Sequence, residues 1–284
     1  MLNKILVPVR GDGMAGTVLA HASILAKRHS AHIVVAHCRP RTEDLMPYGA
    51  ALPAFARKTI AEQARELADQ QEQDVRDQLH DWAQSVDLTE AEDPAHGRAS
   101  VKFVEEYGRM AEVIKHNGRL ADLIVVAKPD RDRNLGANSL KSGLFATGRP
   151  VFMCPPHGAA PSDLGAHVTI AWNGSLEASR AVAMTLEVVR AASKVTILSG
   201  GKGEAHGATT SELVEYYRLH GVTASVEQFS ARNPGAALLE KTVELGANLL
   251  IMGAYGHTHE RETLFGGNTQ AVVDKAEIPV ILVH

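Results

Sequence analysis

Three short apolar blocks occur twice in this chain, in the same order. Lys4–Val9 (KILVPV) matches His167–Trp172 (HVTIAW), and each is followed by glycine and an amphipathic helical pattern. Leu120–Ala127 (LADLIVVA) matches Gly246–Gly253 (GANLLIMG). Arg149–Cys154 (RPVFMC) matches Ile278–Val283 (IPVILV). Such a repeat makes two copies of one supersecondary plan the natural solution. A length of 284 residues suits two domains of about 140 residues each better than one. The seam between the copies is Cys154–Gly165, CPPHGAAPSDLG, whose prolines and glycines read as a linker. The expected domains are therefore 1–156 and 166–284.

Within each half, strand-like apolar runs alternate with helical stretches. In the C-terminal half the pattern predicts strands at 167–172, 194–199, 224–229, 248–252 and 279–283. It predicts helices near 176–192, 209–220, 234–246 and 267–276. Leu249–Met252 and Val280–Val283 are continuously apolar, as a parallel strand covered on both faces requires. The expected class is α/β, with two tandem open doubly wound parallel-sheet domains joined by right-handed crossovers. The N-terminal half adds a long polar helix, roughly Ala54–Val86, preceded by prolines at 40, 47 and 53. That helix is either a partner surface or a solvated helix carrying i,i+4 ion pairs.

Composition narrows the function classes. With 29 Lys and Arg against 33 Asp and Glu, the net charge is −4, so neither nucleic acid nor an anionic membrane is an expected partner. Any phosphate site has to be local. The first apolar run is short and interrupted by Pro8, which suits a β-strand and not a signal or membrane span. Cys38 and Cys154 are the only cysteines, a usage that fits a reducing compartment, and the cytoplasm is the expected location. The histidines and cysteines, including His29, His32, His37 and the Cys154–His157 pair, give no tetrahedral ligand spacing, so no metal site is expected.

The most informative motif is Gly253–Thr269, GAYGHTHERETLFGGNT. It runs from an apolar strand through Gly253 and Gly256 and re-enters a helix at Gly266 and Gly267. Such a loop surrounds a concavity with bare backbone N–H groups, and the helix N-terminus adds partial positive charge suited to phosphate. Gly253 and Gly256 are expected to permit positive φ and close backbone approach. Asn268 and Thr269 are the nearest side-chain donors, and His257, His259 and Arg261 could neutralise phosphate charge.

The spacing G-x2-G-x9-G resembles the nucleotide-binding signature of the universal stress protein family, and the resemblance extends over both halves. It implies the adenine-nucleotide alpha-hydrolase-like fold and a bound ATP or related adenine nucleotide, with or without Mg, in the C-terminal domain alone. The ligand would lie across the ends of three strands. The implied contacts are Ala171, Trp172 and Asn173, then Gly200, then Met252, Gly253, Tyr255, Gly256, Gly266, Gly267, Asn268 and Thr269. Three positions depart from the family pattern. Asn173 stands where an acidic residue often meets the ribose, Gly200 where an aliphatic side chain often packs on the base, and Gly267 where the motif has Ser or Thr.

The N-terminal copy retains no such glycines. Ala127 and Asp130 fall where Gly253 and Gly256 lie, and the segment from Ala127 to Pro150 is three residues shorter than that from Gly253 to Pro279. Arg10 takes the place of Asn173. Lys128, Arg131, Arg133 and Lys141 retain some anion affinity, offset by Asp130 and Asp132. This half reads as a degenerate structural or regulatory partner.

No nucleophile–base pair, Walker sequence or zinc-hydrolase motif is present. The leading expectation is a nucleotide-binding stress-response sensor or regulator and not a dedicated enzyme. The alternatives are a ligand-free tandem interaction scaffold and a slow ATPase using Glu260 or Glu262 to orient water. Members of the resembled family pair through their last strands. The two halves are accordingly expected to form an internal pseudo-dimer, and a further homodimer is left open.

Overall fold

The computed structural model of the chain describes residues 2–9, 15–39, 54–95, 97–200, 207–256 and 267–284. The N-terminal half runs β1 (Lys4–Val9), α1 (Ala15–His29), β2 (His32–Arg39), α2 (Ala54–Ser85), β3 (Thr89–Glu90), β4 (Ser100–Tyr107), α3 (Met110–Gly118), β5 (Leu123–Ala127), α4 (Ala137–Ala146) and β6 (Val151–Cys154). The C-terminal half runs β7 (His167–Trp172), α5 (Leu176–Met184), α6 (Leu186–Arg190), β8 (Lys194–Gly200), α7 (Thr210–Leu219), β9 (Ala224–Phe229), α8 (Pro234–Glu244), β10 (Leu249–Gly253), α9 (Gly267–Lys275) and β11 (Val280–Val283). No helix among the described residues is long and apolar enough to cross a membrane.

The strands form one sheet in the order β3-β4-β2-β1-β5-β6-β11-β10-β7-β8-β9. Each half therefore arranges its five main strands as third, second, first, fourth, fifth, and β3 adds a two-residue edge to the first copy. Every neighbouring pair is parallel except β6 and β11. Those two run antiparallel, with Val280 opposite Met153, Ile281 opposite Phe152 and Leu282 opposite Val151. This seam makes the two halves continuous, and both strands are buried along their whole length.

Helices cover both faces, so the core divides into two layers. One face packs α1, the end of α2, α5, α6 and α7 against the sheet through residues such as Leu25, Leu79, Val182, Val189 and Tyr217. The other packs α3, α4, α8 and α9 through Ile114, Leu144, Leu238 and Val272. Leu249, Leu250 and Ile251 are completely buried because each faces one of these layers. The α/β class read from the sequence is what the chain adopts, and the two expected parallel sheets join through the β6–β11 seam into one mostly parallel sheet.

Local departures have identifiable causes. The helix expected over 176–192 is broken at Thr185, whose φ of −106° and ψ of 10° leave the helical region. Its Oγ1 donates to the Ala181 carbonyl at 2.6 Å, a back-bond that competes with the helix ladder. The seam segment is anchored: Leu164 is fully buried, Gly165 N–H donates to Asn248 Oδ1, and Asn248 Nδ2 donates to the Asp163 carbonyl. The polar α2 buries Leu79 and Ala83, and Arg39 of β2 pairs with its Asp69.

Candidate functional site

In the C-terminal half the chain leaves the first strand, β7, toward one face and the fourth, β10, toward the other. A crevice opens outside the carboxyl ends of neighbouring strands at such a switch point. Here it is a cavity of about 790 Å³ between the ends of β7, β8 and β10. Three helices begin at its rim. The first turn of α5 contributes Ser175, Leu176, Glu177 and Ala178, α8 contributes Pro234 and Leu238, and α9 contributes Gly267, Asn268 and Thr269. Two of these starts are visibly encoded by their own residues. Ser175 Oγ accepts from Ala178 N–H at 3.2 Å, and Asn233 Oδ1 accepts from Ala236 N–H at 3.3 Å ahead of Pro234. Convergent helix N-termini supply unpaired N–H groups and partial positive charge to whatever occupies the crevice.

The glycines act mainly through close approach. A Cβ on Gly253 would stand 2.5 Å from Ala178 N and from the Glu177 carbonyl carbon, so glycine is what lets α5 seat against the end of β10. A Cβ on Gly256 would stand 2.5 Å from Glu177 Oε2. The expected positive φ is found at neither glycine. It falls on Tyr255, at 58°, and on Gly174, at 70°. Tyr255 is held in that conformation from two sides: its N–H donates to Thr269 Oγ1 at 3.2 Å, and its ring packs on Phe145 with centroids 5.2 Å apart. Burial, then neighbouring Asp274, pushes its phenol pKa up. Thr269 thus ties the loop entry to α9 while its hydroxyl hydrogen remains able to donate.

At the other end, Asn173 Oδ1 accepts from Ser175 N–H at 3.1 Å, which engages the side-chain carbonyl and leaves the amide hydrogens as the donors it can offer a ligand. Trp172 is buried, and its indole N–H donates to the Ala208 carbonyl at 3.1 Å. Gly200 sits opposite Phe229 in the sheet register. A Cβ at Gly200 would lie 2.9 Å from the Phe229 ring, so the small residue makes room for an aromatic wall.

Ala171, Trp172, Asn173, Gly200, Met252, Gly253, Tyr255, Gly256, Gly267, Asn268 and Thr269 all line this one cavity. Gly266, His257, His259, Glu260, Arg261, Glu262 and Arg10 lie outside the described residues. Sequence reasoning missed Glu177, Leu198, Phe229, Pro234 and Leu238. The Asn-Pro-Gly start of α8 was a usable signal, whereas Phe229 enters only through strand register.

The universal stress protein family model matches residues 1–137 and 188–284, most of both halves. The chain belongs to the universal stress protein family. A universal stress protein from Archaeoglobus fulgidus DSM 4304 superposes with a TM-score of 0.67 at 20% identity, covering 100% of this chain and 96% of that one. A putative universal stress protein from Pseudomonas aeruginosa UCBPP-PA14 superposes at 0.55 and 17% identity, covering 99% and 93%. No curated protein sequence matches significantly. At these identities the solved structures speak for the fold.

In this universal stress protein the N-terminal counterpart of the glycine loop is built differently. Asp130 and Leu135 exchange backbone hydrogen bonds of 3.0 and 2.9 Å, and Asp130 Oδ1 accepts from Arg133 N–H at 3.0 Å. The loop folds onto itself. Two of its cations are engaged by the other half: Lys128 Nζ donates to the Ala276 carbonyl at 2.8 Å, just past α9, and pairs with Glu277 at 3.4 Å, while Arg131 pairs with Asp274 at 2.8 Å. The anion affinity expected of these two residues is thereby already engaged by α9 and the residues just past it.

Proposed function

We propose that this universal stress protein binds an adenine nucleotide in its C-terminal half and works as a nucleotide-responsive stress regulator. The phosphates would lie against the N-termini of α5 and α9, beside Gly253, Gly256 and Gly267, and the base toward Gly200 and Phe229. One observation carries this reading. Eleven positions chosen for phosphate and nucleoside contact from the sequence surround a single cavity of about 790 Å³, within the range of about 300–1,000 Å³ typical of small-molecule sites. Bound nucleotide would bridge β7, β10 and α9, and the N-terminal half touches α9 through Arg131 and the residue just past it through Lys128. That contact is the route by which occupancy would reach the partner half. The Asp130–Leu135 closure supports the C-terminal half as the sole nucleotide site, and the antiparallel β6–β11 seam supports an internal pseudo-dimer.

Calorimetric titration of ATP, ADP and AMP into protein freed of endogenous ligand tests the proposal. Saturable heat with at least one nucleotide is expected, and its loss in Gly253→Asp is the control. No heat with any of them refutes the sensor reading. A ligand-free scaffold is the second reading, favoured by the Glu177 carboxylate lying against Gly256. It predicts a melting temperature indifferent to millimolar nucleotide, since a ligand that binds only the native state must stabilise it.

A further inference from the structure

The cavity contains a group that a phosphate cradle should not tolerate. Glu177 is 7% exposed, and its Oε2 has no hydrogen-bond partner among the described residues. Its place in the second position of α5 explains why a carboxylate is accepted there, because the helix N-terminus favours negative charge. That field does not supply a hydrogen bond. A buried carboxylate oxygen left unpaired keeps the desolvation penalty of a charged group without the hydrogen bond that would offset it. The atom is also aimed at the glycine loop: it is the nearest one to where a Gly256 side chain would begin, at 2.5 Å. Among the described residues that line the cavity, Glu177 is the one carboxylate, and no Lys or Arg stands beside it.

Two negative groups brought together in a poorly hydrated crevice repel strongly unless a cation lies between them. We infer that the site takes its anionic ligand as a divalent-cation complex, with Glu177 as the protein's ligand to the cation. This inference rests on the nucleotide reading above and adds its cation dependence. The donor set fits the chemistry. Magnesium-sized ions keep several waters and are commonly held by one or two carboxylates together with substrate phosphate oxygens. One carboxylate is too little for a dedicated cage, so the cation arrives with the phosphates and the protein alone holds it weakly. Glu177 then acts as a selector that admits the metal complex and disfavours the bare polyphosphate.

The test is titration of ATP and ADP into ligand-free wild-type protein and Glu177→Gln, each in EDTA and in excess Mg²⁺, with folding checked by melting temperature. Wild type should bind at least about tenfold more tightly with Mg²⁺ than in EDTA, as a single close charge repulsion would give. Glu177→Gln should bind metal-free nucleotide more tightly than wild type does, with its Mg²⁺ dependence reduced to a few-fold. Equal wild-type affinity in both buffers overturns the cation role, and so does a Gln variant that keeps the full dependence. Tight metal-free binding that Glu177→Gln weakens would mean the carboxylate accepts from the nucleoside instead, and that also overturns it. Absence of binding in every arm refutes the nucleotide reading itself, so the two failures are distinguishable. Should the Gln variant fail to fold, the wild-type comparison between buffers decides alone.

Discussion

Replacing Gly253 with alanine tests the account of the site most directly. The added methyl would lie 2.5 Å from both Ala178 N and the Glu177 carbonyl carbon, and 2.9 Å from Glu177 Cβ. Two of those three atoms are backbone in the first turn of α5, which cannot yield by a rotamer change. Relief requires α5 to lift off β10, an overpacking of the kind that costs about 1–3 kcal/mol. Against this, alanine in an extended segment recovers about 0.4–1 kcal/mol of chain entropy. The net expectation is a loss of about 1–2 kcal/mol, or ~2–6 °C in melting temperature for a chain of this size. Gly267→Ala is the internal control: a Cβ there meets nothing within 4 Å, and alanine is the better helix former. Thermal unfolding followed by circular dichroism should separate the two variants, with Gly267→Ala at or above wild type. If Gly253→Ala melts with the wild type, the close seating of α5 on β10 is wrong, and with it the placement of Glu177 over the loop.

Other consequences follow from buried groups. His21 is fully buried, and burial holds its pKa below the ordinary 6.5, outweighing the opposing hydrogen bond to the Thr17 carbonyl; burial likewise lowers His29, His32 and His167. Because the unfolded chain takes up these protons first, stability is complete above about pH 6.5 and declines as pH falls from there toward the folded-state values. Urea midpoints measured from pH 7.5 to 5 should show that decline, and His21→Gln should flatten it. The Tyr217 hydroxyl is buried with no hydrogen-bond partner among the described residues, so Tyr217→Phe should raise the unfolding free energy measured in urea by about 1 kcal/mol; a fall would reveal a partner. Lys128→Ala removes a charged donor to the Ala276 carbonyl whose side chain is only 9% exposed, and should cost about 1.5–3 kcal/mol. Arg131→Ala breaks a more exposed pair with Asp274 and should stay within about 1 kcal/mol by the same measurement.

Much of the fold was legible because its signals are local or periodic. Leu249–Met252 is apolar at every position, as a short strand covered on both faces requires. The recurrence of that run and its two companions fixed the duplication. On the site, the glycine loop could be read because backbone exposure depends on residue type within one short segment. The conformational reason assigned to Gly253 and Gly256 was less readable. A positive φ belongs to Tyr255 instead, held by Thr269 at the far end of the motif and by Phe145 in the other half of the chain, a packing partner no local pattern names.

The amino-acid order by itself therefore determined the strands, the doubling and which half carries bare glycine backbone, all properties written within a few neighbouring residues. Tertiary structure decided what those features meet. It put Glu177 against Gly256, filled the space beside Gly200 with Phe229, and turned Lys128 and Arg131 toward α9. Each of these depends on how a helix seats on a strand or how two edges align, and such distances are set by packing across the whole sheet.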